Sequence, residues 1–164
     1  MTNNHQWLLD YLNYNPNTGR VSTKKTNKTI VANDEGLCYV YDLAKRKNIK
    51  FRLDKVAYYL AYKKMPTDEH RILHKNLDIK DNTLTNLRLV HKSVYLKIKE
   101  ARKNLEGGIK MNFHPTDQFC YVITWYENNK ERNKTISDVV DAQRFLLKMK
   151  LHYSKILTKY CVFD

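Results

Sequence analysis

Cysteine is nearly missing from this chain: there are three, Cys38, Cys120 and Cys161, an odd number with no Cys-x-x-Cys pair among them. That spacing argues against both a disulfide framework and a cysteine zinc site, and leaves the thiols as small apolar residues. Long apolar runs are missing as well. No stretch approaches the roughly 18 uninterrupted apolar residues that a membrane-spanning helix needs. Residues 1–12 lack a basic segment ahead of an apolar run and a secretory cleavage pattern, so a cytosolic protein with no membrane partner is expected. Negative charge is in short supply too: 17 Asp and Glu face 30 Lys and Arg, a formal net charge of +13 with a pI near 9.6. The cations recur in every segment instead of forming one tail, as expected of a protein that meets a polyanion.

What is present is organised around residues 71–90. They read as a short apolar strand (71–74), a polar loop of turn formers (75–82) and a second apolar run closing with Asn86-Leu87-Arg88-Leu89-Val90. From Ser93 onward Val94, Leu96, Ile98, Ala101 and Leu105 form a helical face, with Lys97, Lys99, Arg102 and Lys103 among them. The expectation is a hairpin feeding a basic helix.

These residues resemble the core of the HNH homing endonuclease family, phage type, whose pattern runs Asp-His-x-Asn-Gly-Asp-x-x-Asp-Asn-x-x-x-Asn-Leu-Arg. His74, Asn76, Asp78, Asp81, Asn82, Asn86, Leu87 and Arg88 fall on it without a gap. Upstream, Lys55-Val56-Ala57-Tyr58-Tyr59-Leu60 closing at Met65-Pro66 is similar to the family's His-Arg-x-Ala-Trp-x-Leu helix that ends in Trp-Pro, with Asp54 where the family has His. Residues 14–19 are similar to its opening Tyr-Asp-Pro-x-Thr-Gly turn. The resemblance implies a ββα-metal hairpin and helix, double-stranded DNA as partner, and His74 and Asn86 as the catalytic pair, the Asn orienting the His. It also implies Mg2+ or Mn2+ as cofactor wherever cleavage survives.

Besides Asp54, Leu73, Tyr95 and Leu77 depart from the pattern. The family holds its metal with the Asp before the His and an Asn on the following helix; here these are Leu73 and Tyr95, which supply neither a carboxylate nor an amide oxygen. Without a metal to offset charge on the phosphorane, His74 alone is a feeble catalyst. Leu77 stands where the family has a turn Gly, and leucine disfavours positive φ, so a reshaped loop is expected. No metal ligand is assigned. Asp78 and Asp81 are weak candidates, since Asp also simply favours such turns.

The remaining elements follow from local pattern. Residues 5–12 form a short amphipathic helix anchored by Trp7, Leu8 and Tyr11. A turn at 14–19 leads to a strand at 20–24, and Lys24, Lys25 and Lys28 lie in a basic loop. Residues 37–42 and 48–53 pair as a hairpin with Lys45, Arg46 and Lys47 at its tip. A helix over 54–64 follows, capped by Asp54 and stopped by Pro66, with Val56, Ala57, Leu60 and Ala61 inward. His70 and His74 lie four apart on a strand, a poor zinc spacing, and His91 is a further residue that could reach the His74 site.

Gly107-Gly108 breaks the basic helix after Asn104, and the domain boundary is placed there, giving domains of 1–104 and 105–164. Strands are expected at 109–113, 120–126 and 131–136, with turns at 114–117 and 127–130. A helix N-capped by Ser137 then buries Val139, Val140, Ala142, Phe145, Leu146 and Met149, and the tail from His152 continues amphipathic. Gly108-Ile109, Tyr121-Val122-Ile123, Asn129-Lys130 and Asp141-Ala142 resemble the ethylene-response-factor-type DNA-binding domain, whose exposed sheet face enters the major groove. Alternation places Tyr121, Ile123 and Trp125 on one face of the middle strand and Val122, Thr124 and Tyr126 on the other, without saying which is buried.

The expected fold is thus α+β: an HNH-like hairpin–helix domain, then a small three-stranded antiparallel sheet packed on a helix. The expected function is DNA binding on a nuclease scaffold of degenerate metal site. Phosphate and groove contacts are assigned to Lys24, Lys25, Lys45, Arg46, Lys47, Arg88, Lys97, Arg102, Lys110, Arg132 and Lys134. Two other readings stay open: an active nicking endonuclease with His74 as general base, and a phage protein acting in the host cytosol that inhibits or regulates a host protein. Oligomeric state is not legible.

Overall fold

In the computed structural model, residues 5–114 and 120–161 are described. The chain forms a mixed α/β fold of small antiparallel sheets and helices, divided into two compact units, one ending at Lys92 and the other beginning at Ser93. Among the described residues no helix is long and apolar enough to cross a membrane.

The first unit starts with α1 (Gln6–Tyr11), which drops Leu8 fully into the core. β1 (Leu12–Tyr14) and β2 (Val21–Thr23) pair next, across the turn that Gly19 closes at φ 70°. β3 (Leu37–Asp42) and β4 (Lys47–Arg52) make a regular two-stranded ribbon. Period-two alternation buries Cys38, Val40 and Asp42 and turns Tyr39 and Tyr41 outward. The Asp42 carboxylate accepts the backbone N–H groups of Ala44 and Lys45, at 2.9 and 3.1 Å, and so builds the hairpin tip.

α2 (Leu53–Tyr62) presents Leu53, Val56, Ala57 and Leu60 to the core, a spacing that keeps one helical stripe apolar. Burying a large aliphatic side chain of this kind is worth about 1.5–3 kcal/mol. The helix is not capped as its sequence predicts. Arg52 holds the N-cap position, and Asp54 lies in the first turn, 3 % exposed. There it takes the Arg52 guanidinium through three hydrogen bonds of 2.7–3.2 Å. A near-buried carboxylate needs a charge partner more than a helix needs a cap side chain, and arginine supplies one in bidentate form. The helix ends early, at Tyr62, because Lys63 turns left-handed at φ 56° and its ammonium binds the Leu60 carbonyl.

β5 (His70–His74) and β6 (Leu87–His91) then pair from His70 opposite His91 to His74 opposite Leu87, and β6 runs straight into α3 (Lys92–Lys103).

The second unit holds nearly all of α3. Ile98 and Ala101 are its buried residues, whereas Leu96, read as part of the same apolar face, is 46 % exposed and Leu105, just past the end of α3, is 37 % exposed. Gly107, at φ 112°, breaks the helix where expected, and β7 (Lys110–His114), β8 (Cys120–Glu127) and β9 (Lys130–Ile136) form an antiparallel meander. Most of the expected 114–117 turn lies outside the described residues. Asn128 and Asn129, both at positive φ, make the tight β8–β9 turn.

α4 (Val139–Tyr160) is one continuous helix, and the amphipathic stretch from His152 to Tyr160 is its C-terminal part. Its N-cap is Asp138, whose carboxylate accepts the Asp141 N–H, and not Ser137. Ala142, Tyr153 and Leu157 are buried and Phe145, Leu146 and Met149 half-buried along one stripe, while Val139 and Val140, in the first turn, lie outward.

Candidate functional site

The loop between β5 and β6 is built by asparagines and aspartates that bond back to its own backbone. Asn86 Oδ1 accepts the Asn76 N–H at 2.9 Å, and its amide donates to the Asp81 carbonyl at 2.7 Å. Asp78 accepts the Lys80 N–H, and Asp78 N–H is itself held by Asn76 Oδ1. The Asp81 carboxylate accepts the Asn76 side-chain amide at 2.9 Å and the Thr83 N–H at 3.0 Å. Partial burial works against ionisation of Asp81, but these two donors, the Thr83 hydroxyl and nearby His74 outweigh it and hold the carboxyl below its usual range.

His74 is 4 % exposed at the root of this loop. Its Nε2 lies 3.3 Å from Asn82 Oδ1, a bond that the Nε2–H tautomer donates. Asn82 is in turn pinned by the N-terminal turn. The Tyr14 hydroxyl donates to its carbonyl at 2.8 Å, Leu84 N–H donates to the Pro16 carbonyl, and Gly19 packs directly on the Asn82–Thr83 backbone. The side chain that meets the His74 ring is therefore Asn82. Asn86, assigned that orienting role by resemblance, is spent stapling the loop. His91 sits at the far end of the hairpin, ring to ring with His70 at 6.0 Å, so the extended backbone carries it away from His74.

Leu77 adopts φ 64°. The loop keeps the left-handed turn that leucine disfavours, with Leu77 N–H bound to the His74 carbonyl at 3.0 Å. Leu77→Asn, which tolerates this conformation, is expected to stabilise the first unit by about 0.5–1 kcal/mol in urea unfolding. A lower midpoint would mean that packing of the leucine side chain outweighs its backbone strain.

A divalent metal does not fit this donor set. Leu73, 3 % exposed, is hydrocarbon on the strand, and Asp81 and Asp78 already accept hydrogen bonds from the loop. Tyr95, half-buried on α3, carries a phenol and supplies neither a carboxylate nor an amide oxygen. Among the described residues no three His, Cys, Asp or Glu side chains gather to hold an ion.

The basic residues fall into two groups. Lys24, Lys25, Lys45, Arg46, Lys47, Arg88, Lys97 and Lys110 are exposed, Lys45 lying 3.6 Å from Asp42. Arg102, Arg132 and Lys134 are engaged within the second unit, with Glu106 at 2.6 Å, with Glu127 at 3.3 Å and over the Phe145 ring at 4.6 Å. Register explains part of this. Arg132 and Lys134 pair with Trp125 and Ile123, the sheet face covered by α4, whereas Lys110 pairs with Thr124 on the outer face beside Asn112, Asn133 and Thr135.

Sequence reading passed over Tyr39 and Tyr41, which are 61 % and 43 % exposed on the outer face of the β3–β4 ribbon next to Lys50, with Leu43 70 % exposed at its tip. Strict alternation with buried Cys38 and Val40 was the available signal.

No protein-family model and no curated protein matches this chain. A solved structure described as DNA binding and cleavage by the HNH homing endonuclease I-HmuI is similar over 83 % of this chain and 77 % of its own, at 14 % sequence identity and a TM-score of 0.44.

Proposed function

We propose that this chain is a double-stranded-DNA-binding protein on an HNH-like scaffold whose metal-dependent cleavage is lost or weakened. The observation that carries the reading is the β3–β4 ribbon: an antiparallel pair with Tyr39, Tyr41 and Lys50 on its outer face, ending in Lys45, Arg46 and Lys47. A two-stranded ribbon is narrow enough for the major groove, its tip cations are placed for phosphates, and its tyrosines present flat apolar faces with a hydrogen-bonding end. Lys24, Lys25 and Arg88 add exposed charge to the same unit. In the second unit the outer sheet face offers Lys110, Asn112, Thr124, Asn133 and Thr135, hydrogen-bonding groups suited to base edges. Loss of cleavage is supported by the buried His74 ring and by hydrocarbon at Leu73.

Duplex affinity is expected to fall steeply between about 50 and 200 mM salt, with Arg46→Ala plus Lys47→Ala flattening the log–log slope by about 1.8, or 0.9 for each phosphate no longer neutralised. A salt-independent affinity would sink the proposal. Parallel incubation with supercoiled plasmid in Mg2+ and in Mn2+ tests the second reading, a working nicking enzyme, favoured by the His74–Asn82 hydrogen bond. Metal-dependent nicking abolished by His74→Ala would establish it. Neither binding nor nicking would point to a host protein as the partner.

A further inference from the structure

Within the second unit a cleft of about 910 Å³ lies between α3, the β8–β9 turn and the C-terminal half of α4. Its lining includes Lys97 and Lys99 from α3 and Lys155 and Lys159 from α4, with Leu96, Ile156 and Tyr160 as apolar surface between them. Two carboxylates also line it, yet each has a partner inside the unit: Glu100 accepts the Asn128 N–H, and Glu127 pairs with Arg132 at 3.3 Å. Among the described residues Lys97, Lys99 and Lys155 have no ion-pair partner, so the net charge presented to a ligand is positive. Charge and shape together select the occupant. Duplex DNA is read by elements that protrude into its grooves, whereas a recess receives a chain. Cations that track a backbone, beside apolar and aromatic surface that takes bases, are the features of single-strand binding. A second copy of this basic chain would bring like charge.

We propose that this cleft binds an unpaired nucleic-acid strand. The proposal goes beyond duplex binding by the β3–β4 ribbon and stands or falls separately from it. The test is fluorescence anisotropy with a labelled oligothymidylate of roughly 16 nucleotides, beside a labelled duplex, on the full chain. Lys99→Gln plus Lys155→Gln, both exposed positions lining the cleft, is expected to weaken oligothymidylate binding about tenfold and to flatten its salt slope by about 1.4, or 0.7 for each phosphate no longer neutralised. Duplex affinity is expected to stay within about twofold. Lys24→Gln plus Lys25→Gln removes the same charge elsewhere and is expected to leave the oligothymidylate affinity within about twofold. Unchanged oligothymidylate binding in the cleft variant, or an equal loss in the control, overturns the proposal. Displacement of the oligothymidylate by polyglutamate at equal charge also overturns it, in favour of an acidic peptide. Loss of duplex binding in the Arg46 and Lys47 variant with oligothymidylate binding intact would mark the two sites as distinct.

Discussion

Asn104→Ala is expected to destabilise the second unit by about 3 kcal/mol. Asn104 is 1 % exposed, at the point where α3 gives way to the Gly107-Gly108 break. β7 stops at Lys110, opposite Thr124, so the edge of β8 beyond that point has no strand beside it. Asn104 takes the strand's place: its Oδ1 accepts the Tyr126 N–H at 2.9 Å and its amide donates to the Tyr126 carbonyl at 2.8 Å and to the Glu100 carbonyl at 3.1 Å. Alanine leaves the Tyr126 N–H without its partner, and the Tyr126 carbonyl keeps only the Tyr153 hydroxyl at 3.0 Å. Each abandoned buried group costs about 1–3 kcal/mol, far more than the net gain of making one ordinary hydrogen bond. Asn104→Asp should fare little better at neutral pH, since its second oxygen would face the Tyr126 carbonyl. The check is urea unfolding followed at Trp125, which packs on Phe145 of α4. A change under about 0.5 kcal/mol for alanine, the level of an ordinary surface substitution, would show that the bridge is not what joins α3 to the sheet.

Gly19→Ala has the second large expected effect, on the order of 3 kcal/mol, from two separable causes. Gly19 stands at φ 70°, where any Cβ is disfavoured. A Cβ there would also lie 2.5 Å from the Asn82 carbonyl carbon and 2.6 Å from the Thr83 nitrogen, backbone atoms that cannot rotate aside. Gly36→Ala separates the two. Its φ is 75°, yet its nearest neighbour is the far end of the Arg52 side chain at 3.8 Å, so it carries the conformational penalty alone, about 1 kcal/mol. Because Asn82 also meets the His74 ring, Gly19→Ala should disturb the histidine as well as the fold. The His74 imidazole resonances should shift in the Gly19 variant and not in the Gly36 variant. Equal destabilisation by both substitutions would show that the steric clash contributes nothing.

The polar loop of Asn76, Asp78, Asp81 and Asn82 was legible as turn formers because turn chemistry is local, Asp and Asn bonding to backbone two to five residues away, whereas His74 and Asn86 were singled out by resemblance alone. The strands and α2 followed from alternation and helical stripes for the same reason. The clamp on Asn82 was not legible, because Tyr14 and Gly19 lie more than sixty positions from it and no spacing rule reaches that far. Leu77 shows the limit from the other side. Its intrinsic preference opposed the left-handed turn, and tertiary context overrode it.

Net charge, the period of each element and the loop's polar framework were determined by sequence alone, since each depends on residue type and near neighbours. Only the tertiary structure decided which asparagine meets His74, which face of β8 lies under α4, which cations are already spent on Glu106, Glu127 and Phe145, and that Asn104 substitutes for a missing strand. Those outcomes depend on which distant groups compete for the same buried space and the same hydrogen bonds, and that competition takes place only in the folded chain.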